Sequence, residues 1–396
     1  EAMAETTEQV ALPSGDIRAT ITAGPVRTRR GDRWVPVDLT MVRARDGSVQ
    51  PVAHPSGLRV SGAQGIGVHE LASLGAGARR TALTWDGALP EPVLEAERAT
   101  YREVLPGVDL VVAASRFGFA QTLVLKDRAA VDRVAKVQFG VTGPAVTGYE
   151  RGETGALTVR DAAGGVLVRM PPLRMWDAQL DIAGGPARTA PVASTVARAA
   201  GGLSLTLTPD LDWIRDASTV FPVTVDPTLI SPSNILDAYV WHEHNDDFST
   251  KTDLRLGLYA SSPPTSTRSY LNWDSSALAG KQITRATVYF FNFWSHVCEP
   301  RSWQIFTAGS ALTVDTRWDT QPAAVSWLDA ESDQYAGGAQ CADATVSIDG
   351  KVFFQRAASA GLPQAYMGLT ASNEQDTSSF KQFQSGNVTV NAQMPR

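Results

Sequence analysis

Short runs of Val, Thr, Leu, Tyr and Trp recur along the chain, separated by Gly, Pro, Asp and Asn. The clearest is Leu203-Ser204-Leu205-Thr206-Leu207-Thr208. Its leucines fall on one side and its hydroxyls on the other, the period of a half-buried strand. Runs of the same kind cover 17–21, 34–39, 109–113, 121–125, 156–159, 203–208, 220–225, 286–293 and 303–307. With 33 glycines and 23 prolines as punctuation, the pattern predicts antiparallel sheets joined by tight turns. Helical periodicity is rare. One helix is expected, capped by Asp349, running through Val352, Phe353, Arg356 and Ala357, and stopped by Gly361 and Pro363. The stretch 127–137 is too short and too β-branched to add a second. The predicted fold class is all-β, which excludes a doubly wound nucleotide-binding fold.

At 396 residues the chain exceeds one ordinary domain. A boundary is marked where the strand-like Phe221-Pro222-Val223-Thr224-Val225 meets the Asp226-Pro227 turn and the linker-like Ser231-Pro232-Ser233. The expected division is a β-rich domain over 1–228 and a β-sandwich over 229–396. Composition shifts there too: six of the ten tryptophans and both cysteines lie beyond residue 228.

Apolar residues make up 43% of the chain and charged residues 19%, enough for a proper core and against disorder. The net charge is −6, and basic residues are scattered apart from doublets such as Arg29-Arg30 and Arg79-Arg80. Without a basic stripe to neutralise phosphates, no nucleic-acid partner is expected. No apolar run approaches the roughly 20 residues of a membrane span. The acidic, polar start has neither a basic nor an apolar signal segment, which fits a cytosolic chain or one whose signal peptide has been removed. Cys298 and Cys341 are 43 positions apart, which fits neither a redox pair nor a zinc knuckle. Confined to one domain, they read as a disulfide of an exported protein, with two unrelated buried thiols as the alternative.

The chain carries no GxSxG elbow, HExxH, CxxC, Walker loop or GxGxxG. It is expected to be non-enzymatic and to need no cofactor. His242-Glu243-His244 stands apart. On a strand both imidazoles would share a face and, with Asp246 or Asp247, would suit zinc or calcium; otherwise the stretch is a polar loop. The aromatics of the second half have two readings, a filling between sheets or a platform for sugars. Trp294 and Trp318 fall at strand ends beside Asn292, His296, Arg317 and Asp319, the surroundings a ligand would need, whereas Trp273 alternates with polar residues as a core side chain does.

From Asp237 the chain resembles the DNRLRE domain, a jelly-roll-like β-sandwich related to carbohydrate-binding modules. The resemblance rests on Asp237-Ala238-Tyr239-Val240, Asp253-Leu254-Arg255-Leu256-Gly257, the stretch from Arg268 to Ile283, Arg285-Ala286-Thr287-Val288, and Thr316-Arg317-Trp318-Asp319-Thr320-Gln321-Pro322 against a TxWNxxP pattern. It implies a disulfide between positions like Cys298 and Cys341. Residues 10–228 resemble the β-rich region preceding that domain in secreted actinobacterial proteins of the RHS-repeat and polymorphic-toxin type. Here the carrying stretches are Trp34-Val35-Pro36-Val37-Asp38, Tyr101 to Leu110, Pro171 to Asp177 and Phe221 to Pro227. Asp253–Gly257 is a loose version of the signature. Residue 396 also falls where the family has a closing strand, so the resemblance implies a fragment with a sheet slot left for downstream chain. The function expected is a structural or interaction segment of a larger secreted or cell-surface protein, displaying or packaging a downstream module of the same polypeptide. Binding to cell-wall or environmental polysaccharide is the alternative, and a metal-dependent hydrolase comes third.

Overall fold

The computed structural model describes residues 2–180, 185–231, 235–338 and 341–396. The fold is all-β, built from antiparallel sheets. Its period-two runs form strands: Leu203, Leu205 and Leu207 are buried while Ser204 and Thr206 are half-buried. Val108–Ser115 alternates in the same way. The run 34–39 splits into Arg33–Pro36 and Asp38–Arg43, with Val37 between them.

The expected helix spans Lys351–Ser359. Its cap position is Gly350, and the Asp349 carboxylate accepts the Lys351 N–H at 2.8 Å. Gly361 ends it at φ +62°, a conformation that glycine adopts without a Cβ clash. A second short helix, Leu211–Arg215, is capped by Asp210, whose carboxylate accepts from the N–H groups of Asp212 and Trp213. The expectation of one helix missed it because five residues carry too little periodicity to register.

Contacts divide the chain into two compact units, Val37–Pro232 and Glu1–Pro36 with Ser233–Arg396. One division falls close to the expected boundary, where Pro232 and Ser233 of the linker-like stretch lie outside the described residues. The other sets the first 36 residues apart from the rest of the expected N-terminal domain. Ile21 and Ala23 belong to one apolar core with Leu254, Leu271, Trp273 and Phe383, and the Ala23 N–H donates to the Pro395 carbonyl at 3.0 Å. The alternation of Ile17–Ile21 announces a strand but carries no record of which core it joins.

The Val37–Pro232 unit holds an eight-stranded and an eleven-stranded sheet. Leu83, Trp85, Phe139 and Leu205 share its core with Leu110, Val112, Phe119 and Leu123. In the other unit a nine-stranded sheet runs from the edge strand Ala324–Ser332 through Trp303–Ala308, Gln364–Ala371, Thr265–Asp274, Asp253–Tyr259, Lys381–Gln384 and Thr287–Ser295 to Ala344–Asp349. Asp237–Trp241 pairs beside this path with Thr265–Asp274. Trp273, Trp303, Phe290 and Phe383 fill its core, and the helix Lys351–Ser359 adds Phe353 and Phe354. Burial of that much aromatic surface dominates the unit's cohesion. Cys298 and Cys341 form a disulfide.

Candidate functional site

Strands Thr265–Asp274, Trp303–Ala308 and Gln364–Ala371 have a second apolar face, made by Tyr270, Phe306 and Tyr366 with Ala238, Val240 and Leu312. The segment 309–323 covers it. Asn272 holds that segment through both its amide groups, donating to the Leu312 carbonyl at 2.9 Å and accepting its N–H at 3.0 Å. Arg317 is 5% exposed and donates to the carbonyls of Val314 (2.8 Å), Thr316 (2.7 Å) and Asn245 (3.1 Å). Those bonds commit Arg317 to fixing its own loop, and they correct its expected place among ligand-binding residues. Asp319 is exposed and Trp318 half-buried on the same loop.

Above this face three side chains converge that the sequence did not bring together. The Arg268 guanidinium carbon lies 5.1 Å from the Trp318 ring centre and 5.3 Å from that of Trp327. Arg268 is held by Glu374 through two bonds of 2.8 and 2.6 Å and reaches the Gln321 carbonyl oxygen at 3.3 Å. That oxygen also accepts from the Tyr270 hydroxyl at 2.8 Å, while the Gln321 amide donates to the Trp318 carbonyl at 2.6 Å. Glu374, by hydrogen bond and charge, raises the pKa of Arg268. Burial lifts that of Tyr270 to about 12. Trp327 is 55% exposed, and its ring centre is 5.2 Å from that of buried Phe306.

Trp294 and His296 lie elsewhere in the unit. Trp294 is half-buried, edge-on to Phe380 at 5.5 Å, and exposed His296 is edge-on to Trp294 at 5.8 Å. No contact joins this pair to Trp318 among the described interactions.

The histidine pair does not converge. The strand ends at Trp241, and Glu243, at φ +65°, turns the chain, so residues 242 and 244 lose the shared face that a strand would give them. His242 stands edge-on to Trp318 at 5.2 Å, and His244 stacks on Trp241 at 4.0 Å. Asp246 is 3.9 Å from His244. Asp247 buries an unpaired carboxylate oxygen, and that burial raises its pKa. Among the described residues no group of three or more His, Cys, Asp and Glu side chains could hold a metal, which corrects the ligand set built on His242, His244, Asp246 and Asp247.

Two further charged groups escaped the sequence reading. Lys381 is fully buried, its amine has no hydrogen-bond partner, and it lies 5.9 Å from the Tyr335 ring centre. Burial, and then the charge of Arg301, bring its pKa down to about 8. Asp237 is 1% exposed, accepts the Gly386 N–H at 2.6 Å, and is pushed up to about 7 by burial. An open depression of about 650 Å³ lies at the end of the edge strand, lined by Arg285, Glu331, Asp333, Gln334 and Asp349 among others.

No family model matches the chain. Part of it is similar to two curated proteins. One is the tRNA3(Ser)-specific nuclease WapA of Bacillus spizizenii, 27% identical over 188 residues. The other is the tRNA nuclease WapA of Bacillus subtilis, 26% identical over 197 residues. Each alignment covers 46% of this chain and 8% of the relative, so the chain spans less than a tenth of the curated proteins it matches. Among solved structures, the N-terminal domain of the Streptococcus gordonii adhesin Sgo0707 aligns over 97% of this chain and 92% of its own. The identity is 7% and the TM-score 0.16, too low to support any argument. The expectation of a non-enzymatic protein is overturned by the two relatives, both named as nucleases. Their names also carry a nucleic-acid substrate, which the charge pattern of this chain does not announce.

Proposed function

We propose that the chain is a segment of a much larger exported protein of the RHS-repeat, toxin type, and that its sheets display or package another module of the same polypeptide. The observation that carries this reading is the similarity to proteins of which the alignment spans only 8%. The same similarity supports extending the proposal to nuclease activity on tRNA, carried by the whole protein. Two features support a place outside the cytosol: the Cys298–Cys341 disulfide, a bond that persists in oxidising compartments, and the sandwich resemblance of residues 237–396. No helix of the described residues is long and apolar enough to cross a membrane.

Antibodies raised against the chain test the proposal in the producing organism. The expected result is a polypeptide far larger than 42.3 kDa in the medium or on the cell surface. A species of the chain's own mass confined to the cytosol would overturn it.

Polysaccharide binding is the second reading, favoured by the exposure of Trp327 beside Trp318. It is compatible with the first, since a surface protein that displays a module also needs a place to attach.

A further inference from the structure

Resting on the polysaccharide reading, we propose that Trp318, Arg268 and Trp327 form one platform for a neutral polysaccharide. Trp294 and His296 stand outside it. The first argument is exposure. Val325, Trp327 and Leu328 are 66%, 55% and 57% exposed on the edge strand Ala324–Ser332, a concentration of apolar surface that marks an interaction site.

The second argument is the backbone. Ile305 pairs with Ala330 and Thr307 with Ser326. Two steps along one strand therefore face four along the other, and Trp327 and Leu328 lie within the excess. A bulge of this kind bends a strand and re-aims its side chains. Here the bulged strand brings Trp327 alongside the same guanidinium that Trp318 flanks, so the two indole centres are no more than about 10 Å apart. The Gln304 side-chain amide secures the bulge by donating to the Trp327 carbonyl at 3.1 Å.

The third argument is rigidity. Trp327 rests against Phe306, and Phe306 lies on Gly368 so closely that a Cβ there would come within 2.0 Å of its ring. Trp318 is fixed by the loop that Asn272 and Arg317 hold. Aromatic groups already immobile give up little entropy on binding.

Charge selects the ligand class. The positive charge of Arg268 is met by Glu374 in a bidentate pair, so neither an anionic nor a cationic ligand finds an unmatched partner there. What the platform does offer is two apolar indoles, with His242 edge-on to Trp318 and the Gln321 and Glu374 side chains against Arg268 as the polar groups beside them. A pyranose has an apolar C–H face and a rim of hydroxyls, with no charge of its own.

Affinity electrophoresis of the whole chain tests the platform, with gels containing hydroxyethyl cellulose, laminarin or galactomannan, and polygalacturonate as the acidic comparator. Retardation is expected in at least one neutral gel. Trp327→Ala and Trp318→Ala should each weaken it by about tenfold or more, while Trp294→Ala leaves it unchanged. If no polysaccharide slows the chain, the polysaccharide reading itself falls. Neutral retardation that survives Trp327→Ala leaves that reading standing and overturns the platform. Retardation by polygalacturonate alone overturns the neutral class. Self-association in sedimentation that disappears in Trp327→Ala overturns the sugar in favour of a second copy.

Discussion

Replacing Lys381 by methionine should make the protein more stable. A buried ammonium with no hydrogen-bond partner loses its hydration and regains little. The structure gives the size of that loss. A fall in pKa from 10.5 to about 8, at about 1.4 kcal/mol per tenfold, costs the folded state about 3 kcal/mol at neutral pH. Against this, the contact with Tyr335 at 5.9 Å contributes up to about 2 kcal/mol for a cation stripped of water. Methionine keeps the length and removes the charge, so the net gain at pH 7 is about 1–2 kcal/mol. The sign with pH follows from the depressed pKa. Below about pH 8 the wild-type penalty is complete, and it fades as pH rises towards the unfolded value. Wild-type stability should therefore climb between about pH 8 and 10, and the advantage of Lys381→Met should shrink over the same range. Urea unfolding followed by tryptophan fluorescence at pH 7 and pH 10 measures both effects, with an unchanged m-value confirming that the same surface is exposed. Equal or lower stability of Lys381→Met at pH 7, or an advantage that persists undiminished at pH 10, would refute the reasoning.

Asp237→Asn should act in the opposite pH direction. With a folded pKa raised to about 7, Asp237 favours the fold at low pH and loses that contribution as pH rises from about 4 to about 7, by about 4 kcal/mol in all. The difference between Asp237→Asn and wild type, tracked from pH 4 to 8 in thermal melts, should grow in favour of the variant, and a flat difference would contradict it. Gly368→Ala drives a methyl into the Phe306 ring and should cost about 1–3 kcal/mol. Combining it with Phe306→Leu should recover part of the loss in a double-mutant cycle, whereas strict additivity would separate the two sites. Cys298→Ser with Cys341→Ser opens a loop of 43 residues and should lower stability by about 3–4 kcal/mol in chemical denaturation; a loss below 1 kcal/mol would count against a closed loop.

Much of the strand content was legible because period two survives wherever one face of a sheet is buried, as in Leu203–Thr208 and Val108–Ser115. The helix near 351–359 was legible from its stop signal at Gly361. The first 36 residues were not assigned correctly, since a strand's pattern reports that it has a buried face and says nothing of what lies against it. Trp318 was singled out for its polar neighbours, yet one of those neighbours, Arg317, is consumed by three backbone carbonyls. Trp327 was passed over, because its exposure comes from a bulge, a matter of pairing between strands that no single segment encodes. The histidine motif misled for a related reason: a turn at Glu243 separates two rings that an extended strand would have aligned. Lys381 and Asp237 look like any surface charge in the sequence, and only the fold reveals that water has been taken from them.

The grouping of Glu1–Pro36 with Ser233–Arg396 also sets an order of events at the ribosome. Ile21 and Ala23 are made early, but the residues that will shelter them, from Leu254 to Phe383, arrive more than two hundred positions later. Until then the early strand lacks that core, while the Val37–Pro232 unit has all its own parts and can consolidate. Contacts this distant along a polypeptide form slowly. The split unit can therefore close only once its far side has been translated, after the Val37–Pro232 unit already has all its parts.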